Sequence, residues 1–227
     1  MKKILTLIAV SVASIALAVA DPIIVGHGYF GFGALGTTFE NLDSNSSVFK
    51  AFGKNLDFGG GLAVNIPFGG YFGIQPGVDF YVNNAGYAGE SSTAIPILGT
   101  FATSWEQSYS YLSLDIPVLF TVKLDKWNLA IGPYVSIPLG NVTPSGSYND
   151  TSLDEDPFKT QTPVNFGLTA GVGYEQRLGM GRLVYGARYL LDFLPITADD
   201  SDKTKIFTRR ALFIDIGYKL PLSFFGL

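Results

Sequence analysis

The chain has 227 residues, a formal net charge of −4, 15% charged residues and no cysteine. The charge balance argues against general affinity for nucleic acid, and the missing thiols exclude a lipoprotein anchor, a disulfide framework and thiol chemistry. Low charge, 14% aromatic and 47% hydrophobic residues occur with no helix-length apolar run after residue 20, which points to strands that cross a membrane.

The first twenty residues read as a signal peptide. Lys2 and Lys3 give a positive start, Ile4 to Leu17 is apolar apart from small residues, and Ala18-Val19-Ala20 has the spacing that signal peptidase reads. Cleavage before Asp21 is expected, leaving residues 21–227 as one β-barrel domain. The fit is to export and an outer-membrane location in a Gram-negative bacterium.

Eight strands are predicted, near residues 23–36, 54–66, 71–84, 107–124, 128–141, 163–178, 182–195 and 207–222. Tight turns at Pro67–Gly70, Asp125–Trp127 and Gly179–Gly181 alternate with long polar connections near 37–53, 85–106, 142–162 and 196–206. Outer-membrane barrels have this rhythm, with turns in the periplasm and loops outside. An even strand count puts both termini on the turn side. The first loop is polar (Asn41 to Ser47). The second contains the apolar stretch Ala94-Ile95-Pro96-Ile97-Leu98-Gly99, which can extend the third strand, fold over the barrel mouth or touch lipid.

Alternation along the strands sorts the faces. Leu112, Leu114, Ile116, Val118, Phe120 and Val122 repeat every second residue, the period of an extended strand. If this face meets lipid, Asp115 and Lys123 point inward. The same reading turns Glu175, Arg188, Asp192, Asp215 and Lys219 inward, with Asp57, Asn65, Gln75, Asp79 and Asn83 from the second and third strands. The first strand fits either parity. A soluble sandwich or lipocalin-like barrel would bury the apolar faces instead. Strands of bilayer-crossing length, the turn–loop rhythm and aromatics at strand ends favour the membrane barrel. Those aromatics are Tyr71, Phe72, Tyr109, Tyr111, Trp127, Phe193, Phe207, Phe224 and Phe225.

Eight strands leave an interior that side chains can fill. Buried unpaired charges cost several kcal/mol, so Asp57, Asp79, Asp115, Lys123, Glu175, Arg188, Asp192, Asp215 and Lys219 are expected to form a structural ion network inside a plugged barrel. Pro76, Pro117, Pro133 and Pro138 fall within predicted strands, where each removes a ladder hydrogen bond.

Three segments carry a family resemblance: Tyr111-Leu112-Ser113-Leu114-Asp115-Ile116-Pro117-Val118-Leu119, Ile131-Gly132-Pro133-Tyr134-Val135, and Phe166-Gly167-Leu168-Thr169-Ala170-Gly171-Val172-Gly173-Tyr174-Glu175. With Ala187-Arg188-Tyr189 and Ile216-Gly217-Tyr218, they resemble the PorT-like outer-membrane barrels and, in architecture, the small OmpA- and OmpX-type barrels. The resemblance covers most of residues 107–220. It implies an all-β, eight-stranded antiparallel up-and-down transmembrane barrel, with bulges at Pro117 and Pro133, where the family also has Pro, and it carries over no catalytic residue. Barrels of this kind often end on an aromatic that the assembly machinery reads; here Gly226 and Leu227 follow Phe224 and Phe225.

Chemistry is weakly signalled. His27 is the single histidine, and no nucleophile motif accompanies Gly26-His27-Gly28, so packing explains it better than catalysis. Asp154-Glu155-Asp156 and Asp199-Asp200-Ser201-Asp202 lack ordered calcium-loop spacing and read as solvated acidic loops. Gly59-Gly60-Gly61 sits within a strand with no lysine after it and is no phosphate loop. The expectation is a barrel with a structural or interaction role, not an enzyme, and without cofactor or metal. Its expected partners are outer-membrane lipid, lipopolysaccharide or an equivalent, the barrel assembly machinery, and surface partners met through the loops. The alternatives are a channel or transporter for small hydrophobic molecules and a membrane-embedded lipid hydrolase.

Overall fold

The computed structural model describes residues 22–37, 56–95, 99–149, 151–153, 156–160, 162–194, 196–197 and 206–225. The segment 1–20 expected to be a signal peptide, the first-loop stretch Asn41–Ser47, the pair Asp154-Glu155 and the run Asp199–Asp202 lie outside the described residues.

Eight strands close into a barrel: β1 (Ile23–Thr37), β2 (Leu56–Phe68), β3 (Phe72–Ile95), β4 (Gly99–Leu124), β5 (Trp127–Tyr148), β7 (Asn165–Leu178), β8 (Gly181–Asp192) and β10 (Ile206–Pro221). Each pairs antiparallel with the next, and β10 returns to β1 in a ladder from Ile23↔Pro221 to Thr37↔Phe207. Closure leaves no free edge in the spanning ring, which a strand structure in lipid requires. Two short strands sit outside the ring: β6 (Thr151–Leu153) folds back on β5, and β9 (Ile196–Thr197) pairs with the start of β10.

The period-2 pattern explains which side is the core. In β4, Leu112, Val118 and Phe120 are exposed, while Tyr111, Ser113, Asp115, Leu119 and Thr121 between them are buried. Exposed Phe30, Phe58, Phe80, Ile131, Leu168, Tyr189 and Ile214 continue the apolar face around the barrel. A monomer in water rarely exposes apolar patches above a few hundred Å², so a belt around the whole circumference selects lipid as its solvent. At the turn end an outward aromatic girdle completes it: Phe68, Phe72 and Phe120 pack with centroids 5.7–6.3 Å apart, and Trp127 meets Tyr174 edge-on at 5.3 Å.

Four expectations are corrected. The stretch 85–106 is not an irregular loop: β3 and β4 continue through it as one hairpin, in unbroken register from Asn84↔Ser110 to Ile95↔Gly99. The third connection is shorter than expected, because β5 runs on to Tyr148, and Val142 bridges to Phe158. The ladders pass Pro117 and Pro133 without a change of register. The irregularity lies between Ser110 and Leu112, opposite Gly140, whose φ of +78° suits glycine. Finally, Tyr109 and Tyr111 are buried and take no part in the aromatic girdle, since Tyr111 shares the inward parity of Ser113 and Asp115.

Candidate functional site: the barrel interior

The inward side chains form three charged layers along the axis, with an aromatic layer between the first two. The layer nearest the loop end is built on Arg209 of β10, which is fully buried. Its Nη2 donates to Asp115 of β4 at 2.7 Å and reaches Asp192 of β8 at 3.4 Å, while Nη1 donates to Asn83 of β3 at 2.8 Å. Both carboxylates have further donors. Tyr134 donates to Asp192 and Ser136 to Asp115. Asn165 adds a bond to the second Asp192 oxygen at 3.0 Å. One guanidinium thus ties four other strands together, using the planar fork that suits arginine to carboxylates.

Asp57 lies near this end on β2 and is fully buried. One of its oxygens accepts the Asn84 backbone N–H at 2.5 Å, and the other has no hydrogen-bond partner among the described residues.

An aromatic layer separates the first arginine from a second. Tyr29 and Tyr81 stack at 4.6 Å, and Phe213 packs against both. Arg209 lies over Tyr81 at 5.3 Å, and Arg188 over Tyr29 at 5.2 Å. Below it, Arg188 of β8 pairs with Asp79 at 3.2 Å and with Asp215 at 2.7 Å. Asp79 also meets His27 Nε2, at 2.8 Å. Gly167 makes room for this packing: a Cβ there would lie 2.3 Å from the Tyr134 ring.

The third layer is at the turn end. Glu175 of β7 holds three cations: Lys219 at 2.6 Å, Arg182 at 3.1 Å and Lys123 at 3.3 Å. Between this layer and Arg188 is a cavity of ≈ 50 Å³, lined in part by His27, Thr169, Asp215 and Lys219. Asn65 spans the nearby wall with bonds to Thr121 at 3.1 Å and Gln75 at 3.3 Å.

Residues 27–197 match the family model described as outer membrane protein beta-barrel domain. The chain belongs to this family. As an outer membrane β-barrel domain, its place is the bacterial outer membrane. Solved structures of similar fold include Neisserial surface protein A (10% identity, TM-score 0.39, covering 87% of this chain and 96% of that one). Others are Ail of Yersinia pestis (14%, 0.39, 88% and 99%) and OprG from Pseudomonas aeruginosa (12%, 0.32, 89% and 96%). No curated protein matches the sequence.

The nine charged positions read from the sequence therefore fall into separate groups in this outer membrane β-barrel. Asp115 and Asp192 share Arg209; Asp79 and Asp215 share Arg188; Lys123 and Lys219 share Glu175. Asp57 joins no ion pair among the described residues. Sequence reasoning missed Arg209, Arg182 and the pairing of His27. Arg209 was within reach, because it lies three strand periods before Asp215 and shares its parity.

Proposed function

We propose that this outer membrane β-barrel is a filled, non-conducting barrel of PorT-like type. Its role is structural or interactive rather than enzymatic, with the short turns in the periplasm and the long connections outside. The observation that carries the reading is Arg209. A pore of this strand number has little width to spare, and this side chain is bonded to residues of β3, β4 and β8 at once. Tyr29, Tyr81, Tyr134, Leu190 and Phe213, drawn from five strands, occupy the lumen beside it. Moving such a set aside for a permeating ion would strand buried charges, at several kcal/mol each.

The interaction half of the reading is supported by the β3–β4 hairpin. β3 has 24 residues, a length of roughly 80 Å as extended chain, against an apolar band of about 25 Å. Even steeply tilted, the hairpin extends well beyond the bilayer at the loop end. It offers surface partners, lipopolysaccharide or its equivalent a firm, hydrogen-bonded platform. Planar-bilayer recording of the purified barrel tests the filled interior: a flat baseline is expected, and reproducible unit steps abolished by heating would overturn it.

A further inference from the structure

We propose that the turn-end mouth of the barrel is a binding site for a phosphate-bearing anion. In the upper two layers each arginine is matched by two carboxylates: Arg209 by Asp115 and Asp192, Arg188 by Asp79 and Asp215. At the mouth the ratio is reversed. Among the described residues Glu175 alone faces Lys219, Arg182 and Lys123. Arg177 is a fourth cation there and makes no ion pair among the described residues.

These four basic side chains line one cavity of ≈ 190 Å³, together with Ile23, Met180 and their neighbours, and among the described residues no acidic side chain lines it. Like charges gathered around one carboxylate repel, and that carboxylate neutralises only one of them. The surplus is offset if an external anion completes the cluster. Phosphate suits it: Arg177 and Arg182 offer planar forks that bind tetrahedral oxyanions bidentately, and Lys123 adds a compact ammonium. The cavity volume suffices for a tetrahedral oxyanion. Leu178 and Met180 are 54% and 69% exposed beside the mouth, an apolar surface fit for an acyl chain. The phosphate can therefore belong to a lipid headgroup from the adjoining leaflet or be free in solution.

The test uses the full purified barrel in a zwitterionic detergent. Inorganic phosphate is titrated calorimetrically, and phosphatidylglycerol is compared with phosphatidylcholine by native mass spectrometry. R177Q/R182Q is the disabling variant, since both side chains are exposed. R210Q removes an exposed arginine from the far part of β10 as control. Heat-modifiable mobility reports folding, and K123Q substitutes if the double variant does not fold. Losing two charge-assisted contacts should weaken binding at least about tenfold, with R210Q unchanged. Phosphatidylglycerol binding displaced by phosphate supports a headgroup site. Phosphate binding without lipid preference supports a free-anion site. Failure of both probes to bind the wild type, or equal affinity in R177Q/R182Q or K123Q, overturns the proposal.

Discussion

Arg209 on β10 and Asp115 on β4 meet at 2.7 Å inside the barrel, 94 positions apart in sequence, and neither side chain is more than 2% exposed. A pair this deeply buried is costly to break from one side, because the abandoned charge stays in a low-dielectric interior. Arg209→Ala leaves both Asp115 and Asp192 without their cation. The expected loss is about 3–5 kcal/mol in urea unfolding of the barrel refolded into lipid vesicles. Adding Asp115→Asn to that variant should recover part of it, since one stranded carboxylate is gone. Equal stability of R209A and wild type would remove Arg209 as the centre of the interior.

Gly167 tests whether the interior is packed to contact. A methyl group there would lie 2.3 Å from the Tyr134 ring and 2.5 Å from the Leu191 carbonyl oxygen, so ring or strand must shift. Gly167→Ala is expected to cost about 1–3 kcal/mol as overpacking. Gly28→Ala is the comparison. Gly28 is exposed, and the nearest atom to its Cβ would be 3.7 Å away, so a change within about 0.5 kcal/mol is expected. Chemical denaturation of the two variants side by side gives the difference.

The faces of β4, β5, β7, β8 and β10 were legible because one side meets lipid, and that side is dominated by large apolar residues. Arg209 was less legible because it lies at the start of β10, ahead of the clear two-beat run. The outward apolar series begins at Leu212, and the inward positions ahead of it are Ala211 and Arg209. In β1 the pattern was ambiguous for a physical reason. Glycines occupy both faces, and inward Val25 and Tyr29 are apolar or aromatic like outward Ile24 and Phe30. The β3–β4 hairpin was legible only as one of three readings of Ala94–Gly99, extension of the third strand; on the proposed topology both of its faces lie outside the bilayer, where no apolar side is demanded and the two-beat signal has no source.

That hairpin gives the third prediction. Its register is constant, so Gly86 to Ser108 can be removed and Ala85 joined to Tyr109 through an Asn-Gly turn without changing any pairing below. The trimmed barrel should remain heat-modifiable, with stability within about 1–2 kcal/mol of wild type, because most of the excised backbone pairs within the hairpin and only Trp105–Ser108 give up a ladder, to Ser145–Tyr148 of β5. Adhesion to surface partners should fall with the platform gone. A trimmed chain that no longer folds would instead make the hairpin part of the barrel's nucleus.

Two residues of equal exposure separate lipid from water. Ile214 is 50% exposed midway along β10, between Phe30 of β1 and Ala187 of β8. Tyr148 is 49% exposed at the far end of β5, 21 residues beyond the girdle residue Trp127. That separation is roughly 70 Å of strand, or roughly 50 Å of height at a 45° tilt, twice the apolar band. Accessible area alone predicts the same cost for an arginine at either position. The membrane reading predicts different ones: Ile214→Arg sits in hydrocarbon and should lose about 2–4 kcal/mol, whereas Tyr148→Arg is in water and should change stability by no more than about 0.5 kcal/mol. Unfolding in vesicles decides it, and equal costs at the two positions would mean that the exposed belt does not face lipid.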